Sequence, residues 1–143
     1  MTIVLEEELF LTNKEKKIGL ELEYMRLTSL TVSDNNNETF SRKNKIELIN
    51  FDQKKNTIEL KYTDDLIHNT NIHLEIVAFL KVNGKIDKDD LLNIINSDKV
   101  DDLAYPLLSE ATHIIAFITS KTDSIPLIIP PTFDKFYEDE NDD

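Results

Sequence analysis

The hydrophobic period of this chain changes once, at Gly84, and this change limits the fold more than any other sequence feature. Before Gly84, four segments alternate apolar and polar residues as half-buried β-strands do. After Gly84, apolar residues recur every three to four positions, which is typical of helices. Strands followed by helices predict an α+β protein: a four-stranded antiparallel sheet, then a long helix and a short C-terminal helix.

The four predicted strands differ in regularity. The first begins at Leu20 and loses its alternation between Met25 and Thr28, where we expect a bulge or a bend. The second covers residues 45–51, and the third, the most regular, covers residues 57–63. The fourth, residues 72–82, is apolar on both faces at its centre. A tight hairpin at residues 53–56 is expected to join the second and third strands.

The long helix is predicted from Asp101 to Ser120, after a short helix at Asp87 to Ile95. Because proline fits only near the first turn, Pro106 favours a start near Asp102 or Leu103. One apolar stripe follows the helix: Leu103, Leu107, Leu108, Ala111, Ile114, Ile115, Phe117 and Ile118.

The opposite arc of this helix carries no Lys, Arg, Asp or Glu, although 31% of the chain is charged. A solvated face in so charged a protein is expected to carry charges, so the arc predicts a subunit interface. It consists of Tyr105, Ser109, Thr112, His113, Ala116, Thr119 and Ser120, and all of these except Thr119 are our candidate interface residues.

Residues 125–131 read Ile-Pro-Leu-Ile-Ile-Pro-Pro, and their three prolines exclude a helix and favour an extended path. Thr132 is then expected to cap a last short helix with Phe133, Phe136 and Tyr137. Five of the six residues 138–143 are acidic, which predicts a disordered tail.

The formal net charge of −12 disfavours nucleic acid as a partner, because phosphates repel an acidic protein. The acidity either maintains solubility or steers the protein toward basic or loosely folded chains; both readings stay open. Glu6 to Glu8 interrupt the start that a signal peptide needs, and no apolar run is long enough to cross a membrane. We therefore expect a soluble, cytoplasmic protein without membrane insertion.

Catalytic chemistry finds little support in the sequence. The chain has no cysteine, and His68, His73 and His113 are not spaced as metal ligands. Ser109 and His113 lie one helical turn apart, but no orienting acid or oxyanion donor accompanies them. We expect that the protein is not an enzyme and that it has no catalytic residue, metal site or cofactor.

The C-terminal half resembles the SecB export chaperones. The resemblance rests on Tyr105-Pro106, Glu110, the helix to Ser120, and Ile-Pro-Leu-Ile-Ile-Pro-Pro-Thr-Phe-Asp at residues 125–134. Thr132 stands where the family usually has Asn, and Leu74-Glu75-Ile76 resembles the family's fourth strand. The resemblance predicts an N-terminal extension (residues 1–16), a SecB-like domain (17–137) and the acidic tail (138–143).

The resemblance implies a homotetramer, a dimer of dimers with the long helices between two sheets. Such proteins hold unfolded polypeptides without ATP and deliver secretory precursors to the SecA motor. Glu75 matches a motor-binding position, whereas two other acidic positions fall near Ser29 and Ser33. The implied client-binding residues are Ile125, Leu127, Ile128 and Ile129, and also Leu74, Val77 and Phe79.

Three functions remain open at this point. The first is a general holdase for protein export, and the second is a dedicated SecB-like chaperone of one partner, such as an antitoxin. The third is an adaptor subunit with the same fold and no holdase activity. Changing Ile128 and Ile129 to Ser is expected to weaken client binding and leave assembly intact, unless these residues belong to the core.

Overall fold

The computed structural model describes residues 2–5, 18–35, 39–123 and 125–133. Its elements are β1 (Thr2–Leu5), β2 (Ile18–Asp34), β3 (Ser41–Asp52), β4 (Thr57–Ile67), β5 (Thr70–Asn83), α1 (Lys88–Ile95) and α2 (Val100–Thr122). The five strands form one sheet in the order β1-β2-β5-β4-β3. The α+β prediction is confirmed, with β2 to β5 as the four predicted strands in order.

Strand β1 was not predicted, because its four residues fall within the expected N-terminal extension. It pairs antiparallel with β2, so that Thr2 lies opposite Glu21 and Leu5 lies opposite Ile18. A strand this short covers only the beginning of β2. The predicted C-terminal helix after Phe133 and the acidic tail lie outside the described residues.

The chain divides into two compact units, each with its own core. The first comprises Met1–Arg26, Ile46–Lys61 and Val77–Ala104, and the second comprises Leu27–Lys45, Tyr62–Ile76 and Tyr105–Asp143. Even-numbered positions of β4 and β5 are buried in both, as expected for strands with one face in the core. The first core includes Leu20, Ile58, Leu60, Leu80, Leu91 and Ile94; the second includes Tyr62, Leu66, Ile72, Leu74, Leu108 and Ile115.

The register of β2 shifts by one residue within the first unit. A Cβ on Gly19 would lie 3.5 Å from Asn83 Cβ, so these two residues occupy the same face. An unbroken antiparallel register would then place Tyr24 opposite Ala78, but the Tyr24 ring stacks on Phe79. The shift therefore lies between Gly19 and Tyr24, before the predicted bulge at Met25–Thr28.

Local sequence signals explain the turns and the start of α1. Asp87 caps α1, and its Oδ1 accepts a hydrogen bond from Asp90 N at 2.8 Å, which confirms the predicted helix there. In the hairpin at residues 53–56, Asn56 has a φ of 53°, a left-handed conformation that asparagine tolerates. Gly84 ends β5 with a φ of 128°, where a side chain would be strained.

Helix α2 begins at Val100, one residue before the predicted Asp101 and two to three residues before the start that Pro106 favoured. Pro106 therefore lies inside the second turn of the helix. The long helix itself is confirmed. No helix among the described residues is long and apolar enough to span a membrane.

Two residues of α2 lie on the opposite side of the helix from the one predicted. Phe117 is 63% exposed although it was assigned to the stripe, and Thr119 is only 2% exposed although it was assigned to the arc. Thr119 follows Ile115 by one turn on the buried side, and its hydroxyl donates to the Ile115 carbonyl at 2.8 Å. A threonine can lie in the core because the helix backbone satisfies its hydroxyl.

Candidate functional site

A buried ion pair lies in the second unit. Arg42 of β3 contacts Asp64 of β4 at two points, from Nη2 to Oδ2 at 2.8 Å and from Nε to Oδ1 at 3.2 Å. The two side chains are only 6% and 0% exposed. The Tyr62 hydroxyl donates to Asp64 Oδ2 at 2.5 Å and accepts from Asn44 Nδ2 at 2.9 Å. Each charged group therefore has hydrogen-bond partners, as buried charges require.

The protonation states in this network follow from its burial. Burial opposes the charge of Arg42, but the hydrogen bond and the charge of Asp64 outweigh it and raise the Arg42 pKa. Burial, and then the neighbouring charge of Asp64, raise the pKa of Tyr62. Arg42 thus remains a cation, and Tyr62 remains a neutral phenol that can donate to Asp64.

The same network holds residues 125–133, which we call the proline-rich segment. Arg42 Nη1 donates to the Pro130 carbonyl at 2.9 Å, and Asn44 Nδ2 donates to the Thr132 carbonyl at 2.9 Å. The ring of Phe133 packs edge-on against Tyr62, with the centroids 6.2 Å apart. The Thr132 amide also donates to the Pro130 carbonyl at 2.8 Å, which closes a tight turn. Two backbone carbonyls on either side of this turn are therefore held by side chains of one strand.

A second anchor holds the other end of the proline-rich segment. The Leu127 amide donates to Thr119 Oγ1 at 2.7 Å, which ties the segment to the end of α2. Ile129 points into the core and is 4% exposed, whereas Ile125 and Ile128 are 76% and 72% exposed. Leu127 is half-buried. The segment thus presents two isoleucines to solvent while polar contacts hold it on both sides of Ile128.

Other large apolar side chains of the second unit are also exposed: Leu27, Leu30 and Val32 on β2, Ile67 on β4, and Tyr105 and Phe117 on α2. Leu74, one of the predicted client contacts, is fully buried instead. Its side chain belongs to the core and reaches no client without opening of that core.

In the first unit, the predicted client contacts Val77 and Phe79 are half-buried. The Phe79 ring stacks on Tyr24 with 5.4 Å between centroids and 6° between planes. The outward face of Tyr24, which is half-exposed, leaves an aromatic surface accessible.

The predicted motor contact, Glu75, lies beside a histidine. His73 Nε2 is 3.1 Å from Glu75 Oε2, and His73 Nδ1 is 2.5 Å from Asp65 Oδ1. Hydrogen bonds to Asp65 and then to Glu75 raise the pKa of His73, because both carboxylates favour the imidazolium. The negative charge of Glu75 is therefore partly compensated.

An open cleft of about 490 Å³ adjoins His73 within the second unit. Polar side chains from four strands line it, among them Thr31, Lys43, Asp65 and Asn71. No group of three or more potential metal ligands occurs in the described part of the chain.

The predicted interface residues of α2 line one side of the helix. Tyr105 and His113 are exposed, and Ser109, Thr112, Ala116 and Ser120 are half-buried. Phe117 joins this side, with Lys121 Nζ 5.5 Å from its ring centroid. The exposed side of α2 is thus more aromatic than the uncharged arc predicted from the sequence.

Neither Arg42 nor Asp64 was predicted as a functional residue from the sequence. The sequence did contain a signal for Asp64, namely the alternation along β4. Every second residue of this strand is buried, and Asp64 follows Ile58, Leu60 and Tyr62 in that series. A carboxylate at a core position predicts a buried partner, but the sequence does not indicate which cation supplies it.

No family model and no curated protein matches this chain. Solved structures do match it, and two of them have TM-scores of 0.59 and 0.57. One is the Mycobacterium tuberculosis Rv1957 SecB-like chaperone in complex with a ChAD peptide from the Rv1956 HigA1 antitoxin, which is 10% identical; the match covers 78% of this chain and 89% of that one. The other is a protein of unknown function from Streptococcus agalactiae, which is 14% identical; the match covers 79% of this chain and 98% of that one. The resemblance predicted from the sequence is therefore confirmed at the level of architecture, and the chain has the SecB-like fold.

Proposed function

We propose that this protein is an ATP-independent holdase, which binds unfolded polypeptides through exposed apolar side chains. The observation that carries the proposal is the exposure of Ile125 and Ile128 on a segment that hydrogen bonds hold on both sides of Ile128. Contiguous exposed apolar residues commonly mark sites of interaction with other proteins. The SecB-like fold supports the proposal, because a structural neighbour was solved with a bound peptide.

The free energy available from burying these apolar side chains fits weak binding to many different clients. Burying one isoleucine contributes about 1.5–3 kcal/mol, so a client needs several such contacts to reach micromolar affinity. Leu27, Leu30 and Val32 offer further contacts in the second unit, and Tyr24 and Phe79 offer them in the first. The net charge of −12 adds attraction toward basic clients at low salt.

The test measures whether the protein suppresses aggregation of a chemically denatured model polypeptide without ATP. Ile125→Ser/Ile128→Ser is expected to lose most of this activity. The matched control is Ile49→Ser, which changes an isoleucine that is exposed in the first unit. Equal activity of the double variant and the control would contradict the proposed site, and an inactive wild-type protein would contradict the proposed function.

A second candidate function is a dedicated chaperone for one partner. Its support is that the Mycobacterium tuberculosis neighbour was solved with a peptide from an antitoxin. Affinity purification separates the two: a general holdase retains many unrelated chains, and a dedicated chaperone retains one. An adaptor subunit would instead bind one folded partner and ignore denatured chains.

We further propose that the protein delivers its clients to a SecA-type motor. Glu75 is the residue proposed to contact the motor, and its pairing with His73 weakens the available negative charge. We also propose that the exposed side of α2 mediates a homotetramer. Native mass spectrometry tests the assembly directly, because a tetramer has four times the chain mass of 16.6 kDa.

A further inference from the structure

We infer that Arg42 and Asn44 are positioning residues for polypeptide binding: they hold the proline-rich segment so that Ile125 and Ile128 stay presented to a client. This inference rests on the proposed function. Neither residue is proposed to touch the client, since Arg42 is buried and its donors are directed at groups of the same chain.

The spacing of donors and acceptors supports this role. Arg42 and Asn44 are two residues apart on β3, so their side chains leave the same face of the strand. The carbonyls that they bind, of Pro130 and Thr132, are also two residues apart. Between these carbonyls the chain makes a tight turn, in which the Thr132 amide donates to the Pro130 carbonyl at 2.8 Å. Contacts on both sides of this turn fix its position on the strand face.

Apolar packing alone holds this segment weakly. Ile129 is the only buried residue among the described residues 125–133, while Leu127, Pro131 and Phe133 are half-buried. Three prolines remove three backbone donors, so fewer of its own amides are available to bind the sheet. The hydrogen bonds from Arg42 and Asn44, with the one that the Leu127 amide donates to Thr119, therefore contribute to holding the segment in place.

Asp64 and Tyr62 orient the Arg42 guanidinium toward the proline-rich segment. Asp64 engages Nε and Nη2, and the Tyr62 hydroxyl also accepts from Nη2 at 3.3 Å. The guanidinium plane is thus fixed, and Nη1 is left directed at Pro130. A planar guanidinium that makes two hydrogen bonds to one carboxylate cannot rotate freely, whereas a lysine ammonium can.

The functional consequence is preorganisation. A segment that is already ordered binds a client without a further loss of conformational entropy, whereas a released segment must be ordered during binding. If the proline-rich segment were released from Arg42 and Asn44, Ile125 and Ile128 would remain in the chain but would no longer occupy fixed positions. The affinity for clients should then fall, even though every client-contacting side chain remains.

The experiment compares variants that loosen the segment in different ways. Asn44→Ala removes the contact with Thr132, and Arg42→Met/Asp64→Leu replaces the ion pair with apolar side chains, a change that buried pairs often tolerate. Arg42→Lys keeps the charge but cannot reach Asp64 and Pro130 in the same geometry, so it should fall between the wild type and the double variant. The control is Leu91→Ala, which lowers stability from the core of the first unit and leaves the segment untouched.

Two measurements are made at a temperature where every variant is folded: the dissociation constant for reduced, carboxymethylated α-lactalbumin, and hydrogen exchange of the Leu127, Ile128 and Ile129 amides. Asn44→Ala and the Arg42/Asp64 double variant should bind about five- to tenfold more weakly and exchange faster in this segment only. Leu91→Ala should leave both quantities unchanged.

Unchanged affinity in the folded variants would overturn the inference while leaving the holdase proposal intact. An equal loss of affinity in Leu91→Ala would also overturn it, because the effect would then follow stability. If the wild-type protein binds no denatured chain, the proposed function fails, and hydrogen exchange then reports separately whether Arg42 and Asn44 hold the segment.

Discussion

Arg42 and Asp64 form a two-point ion pair in the core of the second unit, with Nη2 2.8 Å from Oδ2 and Nε 3.2 Å from Oδ1. Removing two charges from water is costly, and good geometry with additional hydrogen bonds is needed to offset that cost. Tyr62 supplies one such bond and the Pro130 carbonyl supplies another. The pair therefore couples the sheet to the proline-rich segment.

Removing one partner of the pair should destabilise the fold strongly. Asp64→Leu leaves the Arg42 cation buried without its counter-charge, and we expect a loss of about 3–5 kcal/mol in the free energy of unfolding. The double variant Arg42→Met/Asp64→Leu should lose clearly less than the sum of the two single changes. Urea unfolding of all four proteins completes the cycle, and additive losses would show that the pair is not coupled.

Ile128 and Ile129 are neighbours with opposite environments, and their serine variants should differ accordingly. Ile128→Ser should reduce client binding with a stability change within about 0.5 kcal/mol, because the side chain is exposed. Ile129→Ser should cost about 2–4 kcal/mol of stability, because it empties a core position and buries a hydroxyl. Thermal unfolding and client affinity are measured on both, and reversed results would place Ile129 outside the core.

Much of the fold followed from hydrophobic periodicity. The alternation at residues 57–63 predicted β4, and the change of period after Gly84 predicted α1 and α2. The mean pattern of a long element is robust because many residues contribute to it. The resemblance of residues 105–134 to SecB chaperones also predicted the fold that the structural neighbours share.

The details that periodicity missed depend on single residues and on tertiary contacts. Thr119 is buried because helix carbonyls and the Leu127 amide satisfy its hydroxyl, which no hydropathy pattern reports. The partner of Asp64 lies on another strand, 22 positions away, so the pairing depends on sheet order. Strand β1 has only four residues, too few for a period to be recognised.

His73 should make stability depend on pH. Its folded-state pKa is raised by Asp65 and Glu75, so its contribution is fully present below the unfolded pKa of about 6.5 and is lost as pH rises through the folded value. Because the group is more than one third exposed, the effect should stay below about 1 kcal/mol and shrink in high salt. Urea unfolding between pH 5.5 and 8.5 should show this decline in the wild type and a flatter profile in His73→Gln. An equally steep decline in His73→Gln would show that the pH dependence of stability comes from another titratable group.

The exposed side of α2 should control assembly without contributing to the fold of one chain. Tyr105→Glu places a charge on a side chain that is 55% exposed, so the stability of the protomer should change little. If this side is an interface, the buried charges would repel or lose their hydration, and the tetramer should dissociate. Native mass spectrometry measures the outcome, with Lys85→Glu as the control because Lys85 is exposed in the first unit and does not lie on α2. A tetramer that survives Tyr105→Glu would remove this side of the helix from the proposed interface.

The two glycines of the first unit should respond oppositely to alanine. Gly84 has a φ of 128°, a conformation that side chains rarely adopt, so Gly84→Ala should cost about 1–3 kcal/mol in the free energy of unfolding. Gly19 lies in β2, and a Cβ there would meet Asn83 Cβ at 3.5 Å, an ordinary van der Waals contact. Gly19→Ala should therefore be neutral or stabilise the protein by up to about 1 kcal/mol, because alanine restricts the unfolded chain. Urea unfolding of both variants checks the pair. Strong destabilisation by Gly19→Ala would contradict the assigned register, since the methyl group would then meet a neighbour closer than Asn83.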